Sequence, residues 1–223
     1  PPRSTLFPYT TLFRSHLISA LFAGTIAVTG CVSSPDTRQS DSSLYASSYS
    51  IKDRRVGSYD LNAITDAPQR KVVMIHFDRP ANEVFKPLLT EVDRYDDTIA
   101  DVSFDHSGSE TPGKFGVGSV RICTFKSGKT LYEPLLVYEE NAFYAYTVDK
   151  ERSTRSLPIK DVVLFYSFED KPENTSLVTV RAHYDPANPL ISPIINAAFG
   201  SALNSTFQSA AEAFDGKLVR PEA

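Results

Sequence analysis

The chain has 223 residues, which is room for one domain of ordinary size with additional segments. Hydrophobic residues make up 41% and charged residues 22%, as in globular and not in disordered proteins. The formal net charge is −4, and Arg3 and Arg14 are the only charged residues of the first thirty, so the remainder carries −6. This balance excludes the clustered basic surface of a nucleic-acid-binding protein. It favours a small neutral or apolar ligand, or a protein partner.

Residues 1–30 are predicted to lie outside the folded domain. Residues 1–15 contain Thr-Leu-Phe twice and resemble a translated sequencing adapter, so we treat them as an artefact. Residues 16–30 include twelve uncharged, mostly apolar residues. That stretch is too short to span a bilayer, but it has the length of a signal-peptide core. It ends in Val-Thr-Gly directly before Cys31, which resembles the lipobox of bacterial lipoproteins.

This resemblance implies cleavage before Cys31 and acylation of its thiol, with palmitate-like chains that anchor the protein stably when two or three are present. Val32 at the following position is compatible with sorting to the outer membrane, and we therefore expect the periplasmic face of that membrane if the host is Gram-negative. The alternative is a buried core helix that happens to end in Gly-Cys. Residues 31–58 hold nine Ser, a composition typical of a solvated tether.

Residues 59–220 read as one α+β domain. Branched residues predict a first strand over 71–78, and helical spacing over 81–100 predicts two short helices, with Pro87 breaking or bending the segment. The final element is a helix of about 23 residues with a continuous apolar stripe, with Ser192 as its N-cap and Gly216 ending it. Between them, strands are predicted at 102–106, 118–126, 130–139, 142–149, 161–169 and 176–184.

This order of elements is that of the helix-grip fold, and the residues resemble one family that has it. Residues 77–85, with Phe77, Pro80, Val84 and Phe85, look like the opening of the START-like (SRPBCC) superfamily, in particular its polyketide cyclase/dehydrase-like members. Residues 116–148 resemble the middle of that family, and Tyr184 with Pro186 before an amphipathic helix fits its end. The resemblance implies a curved antiparallel sheet of about seven strands wrapped around the C-terminal helix.

The resemblance also implies a largely apolar cavity between sheet and helix, in which such proteins bind lipids, sterols, polyketides or aromatic metabolites. On this basis Tyr184, Phe199, Ala202 and Leu203 are candidate ligand contacts. The small residues of the helix either leave space for a ligand or simply permit close packing of helix and sheet.

Arg121 and Glu133 are the clearest polar candidates. If residues 126–128 form a three-residue hairpin loop with Gly128 in the left-handed conformation, Arg121 stands opposite Glu133 on the face shared with Cys123, Leu135 and Val137. The pair would then either orient a ligand carbonyl or carboxylate, or form a structural buried ion pair. A two-residue loop would instead place the two side chains on opposite faces.

Other functional signals are weak. The histidines show no metal-ligand spacing with one another or with Cys123, which is expected to be a buried, inert thiol, and His183 is expected to face solvent. No catalytic residues, metal or cofactor are therefore predicted. The favoured function is a membrane-anchored envelope protein that binds a hydrophobic small molecule or lipid. The alternatives are an enzyme like the polyketide cyclases, using Arg121, Glu133 or a Tyr, and an envelope interaction protein with a filled core. The sequence does not indicate an oligomeric state.

Overall fold

An antiparallel sheet forms the framework of the protein, for which a computed structural model describes residues 64–220. The proposed signal segment, Cys31 and the Ser-rich tether lie outside the described residues. The strands are β1 (Gln69–Phe77), β2 (Ile99–Asp105), β3 (Val120–Phe125), β4 (Thr130–Glu139), β5 (Phe143–Thr147), β6 (Ile159–Lys171), β7 (Thr175–Pro186) and β8 (Gly216–Val219).

The eight strands lie in the order β2-β3-β4-β5-β6-β7-β1-β8, so the first and the last strand of the described chain are neighbours. The helices are α1 (Ala81–Thr90) and α2 (Ser192–Ala213), with 3-10 helices at Val92–Arg94, Pro172–Asn174 and Pro189–Ile191. Helix α2 packs against β1, β7 and β8. A large antiparallel sheet that holds a long C-terminal helix is the predicted helix-grip arrangement.

The segment after β1 differs from the prediction of two short helices. It is one α-helix followed by a single 3-10 turn, and α1 continues past Pro87 to Thr90. Proline removes one helical hydrogen bond. The two residues after it, Leu88 and Leu89, are fully buried, and their packing holds the last turn in place.

Both predicted ends of α2 need correction. Ser192 already has helical backbone angles and is the first residue of the helix, whereas Ile191 occupies the N-cap position. At the other end Asp215, not Gly216, adopts the left-handed conformation, with φ of 58°. Gly216 begins β8, and a Cβ at this position would lie 2.5 Å from the Phe77 ring. The glycine is therefore required for close packing and not for capping.

The main core lies between the inner face of the sheet and the two helices, and aromatic rings fill much of it. The Tyr144 and Tyr166 rings stack with centroids 4.5 Å apart, Phe85 from α1 packs edge-on against Tyr144 at 5.3 Å, and Phe207 from α2 packs edge-on against Tyr166 at 5.8 Å. A second cluster covers the outer face of the sheet: Ile64, Leu136, Val137, Phe143, Ala145, Val163 and Phe165.

Two residues on the outer face of the sheet lie elsewhere than predicted. A β-bulge between Leu135 and Val137 turns Val137 to the outer face, opposite Ala145, although Leu135 stays on the inner one. His183 was expected to face solvent, but it is buried, and its Nδ1 lies 3.1 Å from the carbonyl oxygen of Ala67. The residues that precede β1 therefore fold over the sheet and cover this histidine.

Candidate functional site: a pocket beside helix α2 and a buried polar cluster

A pocket of about 640 Å³ lies between the first half of α2 and the adjoining ends of β1 and β7. One wall is the Tyr184 ring, and α2 contributes small side chains at this point, so the helix leaves space in front of the sheet. The residues that line the pocket are Gln69, Arg70, Lys71, Tyr184, Asn196, Ala197, Gly200, Ser201 and Asn204.

Arg70 is fixed at the mouth of this pocket by the strand next to it. Its Nε donates to the carbonyl oxygen of Tyr184 at 2.7 Å, and its Nη2 donates to Asp185 Oδ1 at 3.0 Å. The guanidinium also lies 5.9 Å from the centre of the Tyr184 ring. Such a two-point attachment gives the cation a defined position at low cost in side-chain entropy. The pocket therefore combines an aromatic wall with a positioned positive charge.

Two polar groups of the pocket have few partners within the protein. Asn196 donates weakly to Ser192 Oγ at 3.4 Å, and its buried Oδ1 has no hydrogen-bond partner. Burial raises the pKa of Tyr184, and the nearby Arg70 opposes this in part, so the phenol is neutral at physiological pH. Because the Asn196 amide oxygen is fully buried, its missing partner is a cost to the local fold and not a contact offered to the pocket.

One of the predicted ligand contacts, Tyr184, lines this pocket, and Phe199 packs against it. The Tyr184 and Phe199 rings touch edge to face, with centroids 4.7 Å apart. Leu203 is buried in the main core and Ala202 is half-buried on the same helix. None of the described contacts joins these residues to Arg121 or Glu133, so the predicted set divides into two groups.

The second group is a polar cluster inside the main core. Gly128 has a φ of 78° and closes a hairpin in which Arg121 pairs with Glu133, as the three-residue loop requires. Both side chains are almost completely buried, and Arg121 Nε donates to Glu133 Oε2 at 2.8 Å. Arg121 Nη1 donates to the carbonyl oxygen of Leu89 at 3.1 Å, at the end of α1.

Neighbouring side chains complete the surroundings of this ion pair. The Tyr146 ring lies 4.1 Å from the guanidinium carbon of Arg121, and the Cys123 thiol lies 3.4 Å from Glu133 Oε2. Burial lowers the pKa of Arg121, but the attraction of Glu133 and the other groups outweighs this effect and raises it overall, so the guanidinium is charged. Burial and the adjacent Glu133 carboxylate raise the pKa of Cys123, so it is an unreactive thiol.

Tyrosine hydroxyl groups lie close to the same cluster. The Tyr146 and Tyr166 hydroxyl groups are hydrogen-bonded at 3.0 Å, and the Tyr95 hydroxyl donates to the carbonyl oxygen of Leu88 at 2.7 Å. Burial raises the pKa of all three phenols and of Tyr144. The Tyr144 hydroxyl is buried and has no partner among the described atoms.

The arrangement of the cluster fits a structural ion pair better than a reactive site. The charges of Arg121 and Glu133 are directed at each other, at a backbone carbonyl and at a thiol, and they do not line the pocket beside α2.

Within residues 64–220, no group of three His, Cys, Asp or Glu side chains is placed to hold a metal ion. No helix of the same residues is long and apolar enough to cross a membrane.

Arg70, Lys71 and Asn196 were not among the residues predicted from the sequence. Arg70 and Lys71 begin a strand whose pattern indicates only its buried face, and Asn196 interrupts the apolar stripe of α2 at a position that the helical spacing does not single out. A polar residue within such a stripe, followed by Ala197 and Gly200, was the available signal.

Comparisons with known proteins bear on the fold. A scan against protein-family models finds no match, and a search of the curated proteins finds no similar sequence. Among solved structures, the protein XoxI from Bacillus cereus is 15% identical, with a TM-score of 0.50 over 65% of this chain and 94% of XoxI.

Two further solved structures are similar at lower scores. A START superfamily protein from Mycobacterium smegmatis is 9% identical, with a TM-score of 0.49 over 65% of this chain and 95% of its own. Ara h 8.0201 is 14% identical, with a TM-score of 0.45 over 64% of this chain and 98% of its own. At these identities the comparison concerns architecture alone. The likeness to XoxI shows a shared architecture, and the order of elements described above is that of the helix-grip fold.

Proposed function

We propose that this protein is a lipid-anchored envelope protein whose helix-grip domain binds an apolar or amphipathic small molecule, such as a lipid, in the pocket beside α2. The observation that carries the proposal is the pocket itself. Its volume of about 640 Å³ lies within the range of small-molecule sites. Its lining places one aromatic residue, Tyr184, among small and polar residues, so it would suit a ligand that has polar groups as well as an apolar part.

The chemistry of the lining indicates how such a ligand would lie. Its apolar part would pack against Tyr184 and over Ala197 and Gly200, where α2 has only small side chains. Its polar end would face Arg70 and Lys71. Asp185 already pairs with Arg70, so the polar end of the ligand need not carry a negative charge.

The anchoring part of the proposal is supported by the sequence alone. An apolar segment of signal-peptide length followed by Val-Thr-Gly before Cys31 resembles a lipobox, and the Ser-rich residues that follow have the composition of a tether. We therefore place the domain at a bacterial membrane surface, on the periplasmic side of the outer membrane in a Gram-negative host. The enzyme alternative gains no support from Arg121 and Glu133, because the two groups bind each other within the core.

Extraction of the purified full-length protein with organic solvent, followed by mass spectrometry, tests the ligand directly. The blocking variant is Gly200→Leu, since a Cβ at Gly200 meets no atom within 4 Å and a larger side chain there would occupy the pocket. Gly200→Ala is the matched control, because it changes the backbone in the same way but adds only one methyl group.

We expect an apolar or amphipathic compound to co-purify with the wild-type protein and with Gly200→Ala, and to be lost from Gly200→Leu. Equal recovery from Gly200→Leu would show that the compound lies elsewhere and would refute this pocket as the site. Recovery of no compound from the wild type, together with a failure of added fatty acids and phospholipids to shift its melting temperature, would refute ligand binding. Intact mass of the membrane-extracted protein tests acylation of Cys31 separately.

A further inference from the structure

Three large hydrophobic side chains at the start of α2 face solvent. Leu190 is 90% exposed, Ile191 46% and Ile194 61%, and no other large hydrophobic side chain of residues 64–220 is classed as exposed. They lie together on the 3-10 helix Pro189–Ile191 and the first turn of α2. We call residues 189–194 the apolar tip. Contiguous exposed apolar surface of this kind marks an interaction site more often than single exposed side chains do.

The apolar tip is a formed element and not a loosely attached loop. The side chain of Asn188 accepts a hydrogen bond from the Leu190 N–H at 2.9 Å, and the Ser192 N–H bonds to the carbonyl oxygen of Pro189. Pro189 and Pro193 restrict the backbone at both of its ends. The three side chains are therefore held outward by local structure.

The surface that surrounds the tip carries no charge over a long stretch of chain. From Pro186 to Ala211 the sequence contains no Asp, Glu, Lys, Arg or His. The exposed positions of α2 in this stretch hold small or uncharged polar residues, including Ala197, Ser201, Asn204 and Ser205. Water-facing surfaces usually carry about 25–35% charged residues. Contact with an apolar phase would thus leave no charge desolvated along this face.

The course of the chain favours a lipid bilayer as the occupant. Pro68 accepts a hydrogen bond from the Tyr184 N–H, so the chain enters β1 at the same end of the sheet from which β7 leads into the tip. Cys31 lies 33 positions before Ile64, a length that spans at most roughly 120 Å when fully extended. An anchor at Cys31 would therefore keep the tip permanently near lipid, where even weak insertion becomes effective.

The charges next to the tip indicate how the contact would be made. The strand ends and the segment packed beside it contribute three acidic and three basic residues, which are Asp66, Asp161, Asp185, Arg70, Lys71 and Lys160. Since these charges balance, attraction to anionic lipid headgroups would be small. Insertion of the apolar side chains would provide the binding energy, with little dependence on salt.

We infer that the apolar tip inserts into the bilayer surface to which the protein is anchored. The inference rests on the proposed anchoring of Cys31 and adds an orientation to it. The pocket begins one helical turn after the tip, at Asn196 and Ala197. With the tip inserted, the mouth of the pocket would lie next to lipid. The membrane would then be the source or the destination of the ligand that the pocket binds.

Labelling of single cysteines in the full-length, acylated protein tests this orientation in phosphatidylcholine vesicles. An environment-sensitive fluorophore is attached through Leu190→Cys, through Ile194→Cys or, as a control, through Asn82→Cys. Asn82 is exposed in the first turn of α1, which Asp170 near the end of β6 holds at the opposite end of the sheet. Cys31 would be acylated and Cys123 is buried, so the introduced thiol is the reactive one.

We expect a blue-shifted emission and several-fold stronger quenching by nitroxide-labelled lipid at both tip positions than at Asn82→Cys. Equal quenching at the three positions would overturn the inference. A blue shift that occurs without lipid and grows with protein concentration would also overturn the inference. That result would show that a second copy of the chain binds the tip. Flotation of all three variants with the vesicles shows whether the protein is anchored. Absence of anchoring can therefore be distinguished from absence of tip insertion in an anchored protein.

A second measurement does not require the anchor. The mature protein, which begins at residue 31 after the proposed cleavage, is prepared with Cys31→Ala and mixed with phosphatidylcholine vesicles. Its bound fraction is compared with that of the same protein carrying Leu190→Ser and Ile194→Ser. Loss of two inserted apolar side chains should lower the partition coefficient roughly ten-fold or more. An unchanged coefficient, or one that falls steeply with salt, would contradict the proposed insertion. Both substituted positions are exposed, so the melting temperature should change little.

Discussion

Glu133→Gln tests whether the ion pair inside the main core is sealed from water. The Arg121 and Glu133 side chains are only 3% and 8% exposed, with Nε and Oε2 2.8 Å apart. Removal of the carboxylate charge leaves the guanidinium buried without a counter-ion, which typically costs about 3–5 kcal/mol. A domain of this size is stable by about 5–15 kcal/mol, so the variant should lose about a fifth or more of its free energy of unfolding.

Urea unfolding followed by circular dichroism measures this loss, since the chain contains no tryptophan to serve as a fluorescent probe. The double variant Arg121→Met/Glu133→Leu removes both charges and should be clearly more stable than the sum of the two single changes predicts. Glu91→Gln is the matched control, because its pair with Arg94 is exposed and should contribute less than about 1 kcal/mol. A loss below about 1 kcal/mol for Glu133→Gln would show that water reaches the cluster, and would restore the pair as a candidate ligand site.

Three further results are expected. Tyr144→Phe should leave the free energy of unfolding unchanged or raise it by about 1 kcal/mol, because the buried hydroxyl has no partner; a clear loss in urea unfolding would reveal a bound water or ligand. Gly216→Ala should lower the melting temperature by several degrees, because its Cβ would lie 2.5 Å from Phe77, whereas Gly200→Ala should not. The pKa of Tyr138 is raised to about 12, mainly by burial, so the unfolded state loses this proton first. Stability should therefore be complete below pH 10 and fall as the pH rises towards 12, and an alkaline unfolding curve that is flat over this range would contradict the burial of the phenol.

The parts of the fold that follow from local pattern were predictable from the sequence. Gly128 in a three-residue loop predicted the register that places Arg121 opposite Glu133, because a left-handed residue at that position determines which strand residues face each other. The apolar stripe of α2 predicted its length closely, since helical spacing persists for six turns.

Features that depend on contacts between distant segments were not predictable. The bulge at Leu136 reverses the side-chain alternation of β4, and Pro134 in this central strand signals an irregularity without showing which residue bulges. His183 is covered by residues that precede β1, and β8 has only four residues, too few for a pattern. The pocket arises where α2 crosses the ends of β1 and β7, so its Arg70 and Asn196 come together only in the folded protein.

The pairing of β1 with both β7 and β8 constrains when the domain can fold. Val73 of β1 faces Val180 of β7, and Ile75 faces Leu218 of β8, so both partners of the first strand are synthesised more than a hundred residues after it. Pairings at such sequence separation form slowly. A nascent chain that has not yet reached β7 leaves β1 without either neighbour, and the domain remains unfolded during synthesis. If the chain is exported as we propose, this delay would leave it extended while it crosses the membrane.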